Sequence, residues 1–93
     1  MFVWLNKQGV KSDAGYIVQF TSRFSAEYHE SGKTIDIYVE DGMQAGQPCI
    51  ILSNESFAKW SDGTTILPDE RSRLVDNFRQ ALDFQGLKLI INK

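Results

Sequence analysis

The chain has 93 residues, of which 42% are hydrophobic and 24% charged, and its formal net charge is −2. That is ordinary globular composition, enough for one core in a single domain over 1–93, and it excludes a disordered chain. The acidic balance excludes the basic face of a nucleic-acid binder, and no apolar run approaches the ~20 residues of a membrane-spanning helix.

Phe2–Leu5 is a short apolar run that fits an edge strand. Tyr16–Thr21 is rich in aromatic and β-branched residues and is expected to be a strand. Phe24, Ala26 and Tyr28 alternate with Ser25, Glu27 and His29, which predicts a strand with the first three buried. Glu30-Ser31-Gly32-Lys33 is a turn. Ile35, Ile37 and Val39 alternate with Asp36, Tyr38 and Glu40, the clearest period-two pattern in the chain. Two alternating runs around a short glycine turn predict an antiparallel hairpin. Asp41-Gly42 and Gly46-Gln47-Pro48 punctuate the next connection, and Cys49–Ser53 is a compact apolar strand. Asn54–Ser61 is either a short strand or a turn that delivers Phe57 and Trp60 to the core, and 61–67 is a loop.

One helix is expected from Pro68. Proline suits the first helical position, and Asp69 and Glu70 complement the positive end of the helix dipole. Leu74, Val75, Phe78, Ala81 and Leu82 form an apolar stripe at helical spacing, and Gly86 is placed to end the helix in a left-handed cap. Leu87–Ile91 is a last strand. The expected architecture is α+β in two layers: a mostly antiparallel curved sheet of five to six strands, one long C-terminal amphipathic helix packed on it, and a final strand.

Chemistry-bearing residues are sparse. The chain has one Cys and one His, too few for a structural zinc site, and no cofactor is expected. Cys49 opens an apolar run and is expected to be buried. With no possible internal disulfide and no signal-like start in Met1–Leu5, the expected location is the cytoplasm. Ser31-Gly32-Lys33-Thr34 resembles the end of a phosphate-binding loop, but Glu27 stands where the first glycine belongs and a strand follows, so it is a turn. Ser31 and Glu27 are near His29 in sequence but are not expected to face it as a nucleophile and an orienting carboxylate would, so it reads as an exposed strand histidine.

The charge is unevenly distributed. Residues 34–70 hold seven carboxylates and one lysine, a net −6, between mildly basic ends. Asp36 and Glu40 should share a strand face with Tyr38 between them, roughly 13 Å apart by strand rise and too far for a catalytic carboxylate pair. Asp69 and Glu70 belong to the helix start. The expected partner-binding residues are therefore Asp36, Tyr38, Glu40, Asp41, Glu55, Trp60 and Asp62, forming a partly acidic surface around an outward tyrosine. Trp60 is also read as a core plug, with partner contact as the alternative.

A family resemblance rests on four features: the Gly32-Lys33 hairpin turn, the Ile-x-Ile-x-Val-Glu strand at 35–40, Ser56-Phe57-Ala58-Lys59-Trp60, and the helix entry Leu67-Pro68-Asp69-Glu70. In these the chain, over about 24–92, resembles the small α+β immunity proteins of bacterial polymorphic toxin systems, most closely immunity protein family 74. The resemblance implies a non-enzymatic cytoplasmic protein that binds and neutralises a cognate toxin domain, possibly a nuclease. It would be a monomer or weak dimer, with no nucleic-acid or membrane partner. The alternative is a small ligand-binding or adaptor domain. It would act through a pocket near His29, Tyr28 or Tyr38, or through a strand edge at Phe2–Leu5 or Leu87–Ile91.

Overall fold

The computed structural model describes residues 1–92. The chain runs through strands β1 (Phe2–Asn6), β2 (Gly9–Ser12), β3 (Tyr16–Ser22), β4 (Ser25–Glu30), β5 (Lys33–Tyr38), β6 (Glu40–Gln44) and β7 (Gln47–Ser53). A 3-10 turn, Asn54–Phe57, then leads through a loop to helix α1 (Pro68–Phe84), and β8 (Lys88–Asn92) closes the fold. The first five strands form an antiparallel sheet in chain order. A second sheet has the order β6-β7-β8, with β7 and β8 parallel. A parallel pair needs a long crossover, and the 3-10 turn, loop and helix between β7 and β8 supply it. No helix among the described residues is long and apolar enough to cross a membrane.

The α+β architecture follows the sequence pattern, with the sheet divided in two. The division falls at Val39. This residue is fully buried, and its N–H donates to the Phe24 carbonyl at 2.9 Å as the chain leaves the first sheet. Asp41-Gly42, expected as a turn, lies inside β6, where Gly42 faces Cys49 across the ladder. Two strands have no periodic signature. β2 is four residues long and buries Ser12 beside Val10, and β6 is a polar edge strand. Phe24, expected to point inward, sits in the β3–β4 turn and is 49% exposed.

The predicted hairpin turn at Ser31-Gly32 and a second one at Ala45-Gly46, expected only as a break in a connection, have the same backbone reason. Ser31 and Gly32 have φ of 52° and 79°, and Ala45 and Gly46 have 51° and 79°. Two successive positive φ values make the turn whose twist matches paired strands. It closes Glu30 onto Lys33 in one hairpin and Gln44 onto Gln47 in the other. The helix begins at Pro68 without a side-chain cap, and Gly86 ends it. The Leu87 N–H returns to the Leu82 carbonyl at 2.9 Å and the Gly86 N–H to that of Asp83 at 3.0 Å, the paired bonds of a glycine-terminated helix.

The core lies between the inner face of the first sheet and α1. Val18, Ala26, Tyr28, Ile35 and Ile37 meet Leu74, Phe78, Ala81 and Leu82, and Ile50, Leu52 and Leu89 of the second sheet close one side. Asn54–Ser61 takes the second of its two expected forms, a turn that buries Phe57 and Trp60. Tyr28 lies at the centre. Its ring stacks on Tyr16 at 5.5 Å and meets Phe57 and Trp60 at 6.5 Å each. Its hydroxyl donates to Glu30 at 2.7 Å and accepts from Asn77 of α1 at 3.0 Å. Arg73 then grips both Glu30 oxygens, at 2.7 and 2.8 Å.

Burial raises the Tyr28 hydroxyl above its ordinary pKa, so it stays a donor across the usual pH range. Hydrogen bonds from Arg73, helped by the Tyr28 hydroxyl, hold Glu30 below the ordinary 4.5. A depressed carboxylate stabilises the fold above its unfolded pKa and loses that contribution as pH falls through the folded value. Near neutrality Arg73→Ala should cost about 1.5–3 kcal/mol in urea unfolding. The difference from wild type should shrink at about pH 3. A cost that is equal at both pH values would show that the ion pair does not hold the helix to the sheet.

Candidate protein-binding surface

The outer face of β4 and β5 is built by strict alternation. Ala26, Tyr28, Ile35 and Ile37 point to the core, so Ser25, Glu27 and His29 and their partners Tyr38, Asp36 and Thr34 point outward. A shallow depression of about 400 Å³ lies among Phe24, Ser25, Glu27, Asp36 and Tyr38.

The aromatic part comes from two elements. Tyr38 is 63% exposed and stacks on Phe24 with ring centroids 6.5 Å apart and planes inclined by 18°. The β3–β4 turn holds Phe24 in place. Ser25 shares hydroxyl hydrogen bonds with Thr21 at 2.6 Å and Ser22 at 2.7 Å. The Arg23 guanidinium lies 5.5 Å from the other aromatic centre, Phe24's ring, and 3.5 Å from the Asp41 carboxylate on β6. One chain of contacts, Asp41–Arg23–Phe24–Tyr38, thus crosses from the second sheet to the first.

The acidic part extends along β5. Ser61 donates its backbone N–H to the Thr34 carbonyl at 2.8 Å and its hydroxyl to Asp36 at 3.2 Å. The loop that follows Trp60 therefore caps the sheet edge, with Asp62 next in the chain after Ser61. The Thr64 hydroxyl and N–H hold the Asp62 carboxyl below its ordinary pKa, and Lys33 adds to this. Glu27 lies directly opposite Asp36 in the ladder. His29 bridges Glu27 and Thr34, with 3.0 Å from Nε2 to the carboxylate and 3.0 Å from Nδ1 to the hydroxyl. A neutral ring protonated at Nε2 donates to the first and accepts from the second.

Four of the seven expected residues, Asp36, Tyr38, Asp41 and Asp62, fall on this surface. Glu40 does not share a face with Asp36, because β5 ends at Tyr38 and Glu40 opens β6 in the other sheet opposite Ile51. Glu55 is exposed in the 3-10 turn, and no described side-chain contact ties it to this face. Trp60 is corrected to a core residue. It is 5% exposed, packs on Tyr28 and lies under the Lys33 ammonium, which is 5.5 Å from the ring. The expected pocket around His29, Tyr28 and Tyr38 does not form, since Tyr28 is buried and the other two are on the outer face. Cys49 is buried as expected.

Three residues were not expected here: Arg23, Phe24 and Glu27. Glu27 carries a readable signal. A two-residue turn that pairs Glu30 with Lys33 places residue 27 against residue 36. Among the described residues, no group of three His, Cys, Asp or Glu is placed to hold a metal ion.

Like charges directly opposite on neighbouring strands oppose folding. Glu27→Gln keeps an acceptor for His29 and removes the repulsion. It should raise stability by about 0.2–1 kcal/mol in low-salt urea unfolding, with less gain at high salt. A loss of stability at low salt would show that the two carboxylates do not repel.

No family model, curated protein or solved structure matches the chain.

Proposed function

We propose that this chain is an immunity-type binding protein rather than an enzyme, acting in the bacterial cytoplasm by covering a basic face of a cognate toxin domain. The observation that carries the reading is the surface joining the exposed Phe24–Tyr38 pair to Glu27 and Asp36, with the Ser61 loop bonded to Asp36 at its edge. Aromatic side chains are the commonest energetic anchors of protein interfaces, and charges at the rim contribute more to encounter rate and selectivity than to affinity. The Glu27–Asp36 opposition opposes folding, so its presence suits a surface shaped to meet positive charge. A nuclease toxin is a fitting target, because a channel that binds phosphates is basic.

The resemblance in Gly32-Lys33, 35–40, Ser56–Trp60 and Leu67–Glu70 supports the same reading. Three of those segments have structural roles here: the hairpin turn, the core aromatics Phe57 and Trp60, and the helix start. Recognition falls to residues beside them.

Co-expression with the product of the gene directly upstream tests the proposal. That product should arrest growth alone, and the wild-type chain should restore growth. Tyr38→Ala and Asp36→Lys should fold yet restore growth poorly, and Asp36→Lys should slow association with the purified toxin domain by about tenfold at low salt. A harmless upstream product, or full protection by both variants, would contradict it.

A further inference from the structure

Among the described residues the two sheets end in four edge strands, β1, β5, β6 and β8. An edge strand carries unpaired N–H and C=O groups, and proteins guard such edges with charge, proline or a covering segment. Strand β5 contains Lys33 and Asp36 and is bonded along its edge by Ser61. Strand β6 contains Glu40 and Asp41, and β8 contains Lys88. Strand β1, Phe-Val-Trp-Leu-Asn, has no charged residue and no proline, and it pairs with β2 on one side alone.

The side chains of β1 are also uncovered. Val3, Trp4 and Leu5 are 56, 52 and 48% exposed, and Met1 ahead of them is more exposed still. Phe84 of α1, also exposed, lies 5.6 Å from the Trp4 ring and 5.4 Å from that of Phe2. The patch amounts to on the order of 500 Å², the size at which exposed apolar surface marks an interaction site. The Met1 ammonium is bridged to Asp13 at 2.8 Å, so it brings no unpaired charge to this edge.

The hydrogen-bond phase of the β1–β2 ladder selects the occupant. The Asp13 N–H donates to the Met1 carbonyl at 3.1 Å, so Met1 and Val3 are the positions of β1 bonded to β2. The N–H and C=O of Phe2 and Trp4 therefore point away from β2 into solvent. The register shifts just after Trp4, which ends the straight part of the strand. The free edge thus offers four backbone groups arranged symmetrically about Val3.

We infer that β1 is a dimer interface, in which two copies of this chain pair their β1 strands antiparallel about a two-fold axis at Val3. Phe2 of each copy exchanges both backbone hydrogen bonds with Trp4 of the other, which satisfies all four outward groups on each strand. Val3 meets its own counterpart across the axis, and Phe2 and Trp4 form cross-strand aromatic pairs beside Phe84. An identical copy fits because this pattern is its own complement under a two-fold rotation and opposes no like charges. Pairing buries about 1,000 Å² in total, the lower limit for a specific interface, so the expected dissociation constant is on the order of 10 μM. The dimer joins the two five-stranded sheets edge to edge. The outer face of β4 and β5 stays free at both far ends, and the inference does not depend on what that face binds.

Sedimentation equilibrium of the full chain between about 1 and 300 μM tests this, and the mass should rise from monomer to dimer and stop there. Val3→Lys sets two ammonium groups against each other on the axis. It should keep the native circular dichroism and weaken association at least about tenfold. The register is read by mild oxidation of cysteine variants. Across the axis the two residues at position 3 have Cα atoms about 4.5 Å apart, within disulfide reach, while those at position 5 are about 13 Å apart. Val3→Cys should therefore become a covalent dimer and Leu5→Cys should not. A monomer at every concentration, or assembly beyond two copies, overturns the inference. So does a folded Val3→Lys that associates like wild type, or crosslinking of Leu5→Cys in preference to Val3→Cys. If Val3→Lys does not fold, the mass series and the two cysteine variants decide by themselves.

Discussion

The fold depends on satisfying one buried hydroxyl. Tyr28 projects from β4 into the contact between sheet and helix, where its ring is fully buried. A phenol there needs partners, because an unpaired polar group away from water opposes folding by more than a typical hydrogen bond favours it. Glu30 and Asn77 provide them, and Arg73 secures Glu30 in turn. A residue on β4 thus sets both the height and the rotation of α1 across the sheet. Apolar packing alone tolerates sliding, whereas a bidentate pair has one geometry. With the helix fixed, its glycine end sends the chain into β8, which completes the second sheet beside β7.

That arrangement accounts for the placement of the outer face. The alternation that buries Ala26, Tyr28, Ile35 and Ile37 obliges Glu27, Asp36 and Tyr38 to face solvent. Trp60 packs beneath this layer against Tyr28 and carries Ser61 and Asp62 to the edge of β5. The core tryptophan therefore positions the candidate surface without belonging to it. The opposed carboxylates are a local conflict inside a hairpin that is otherwise consistent at every level, and such conflicts gather where a structure serves something besides its own stability.

Local order was legible in the sequence, and long-range order was not. The alternation through Ile35 and Ile37, the turn at Ser31-Gly32, and the helix bounded by Pro68 and Gly86 all depend on neighbours within a few residues. Gly9–Ser12 and Glu40–Gln44 escaped because their pairing comes from partner strands; β2 buries a serine, and β6 is mostly polar and exposed. Val39 continues the alternation of β5 in burial while the chain changes sheets, so periodicity placed Glu40 on the wrong surface. The Arg73–Glu30 pair spans 43 residues and the Ser61–Asp36 bond 25, and neither separation leaves a trace in local pattern. For Trp60 a core plug and an interface anchor were both readable, and the packing around Tyr28 decides for the core.

One face, built from the β3–β4 turn, the outer side of β4–β5 and the loop after Trp60, is proposed to meet a protein partner. Backbone hydrogen exchange of the chain, alone and bound to the toxin domain proposed as its partner, tests this. Exchange in exposed turns responds to local covering, while the core reports only global opening. The account predicts new protection confined to residues 22–25, 36–38 and 61–64, with β1 and the outer turns of α1 unchanged. Protection concentrated on β1 or α1, with residues 22–25 and 61–64 exchanging as freely as before, would contradict it.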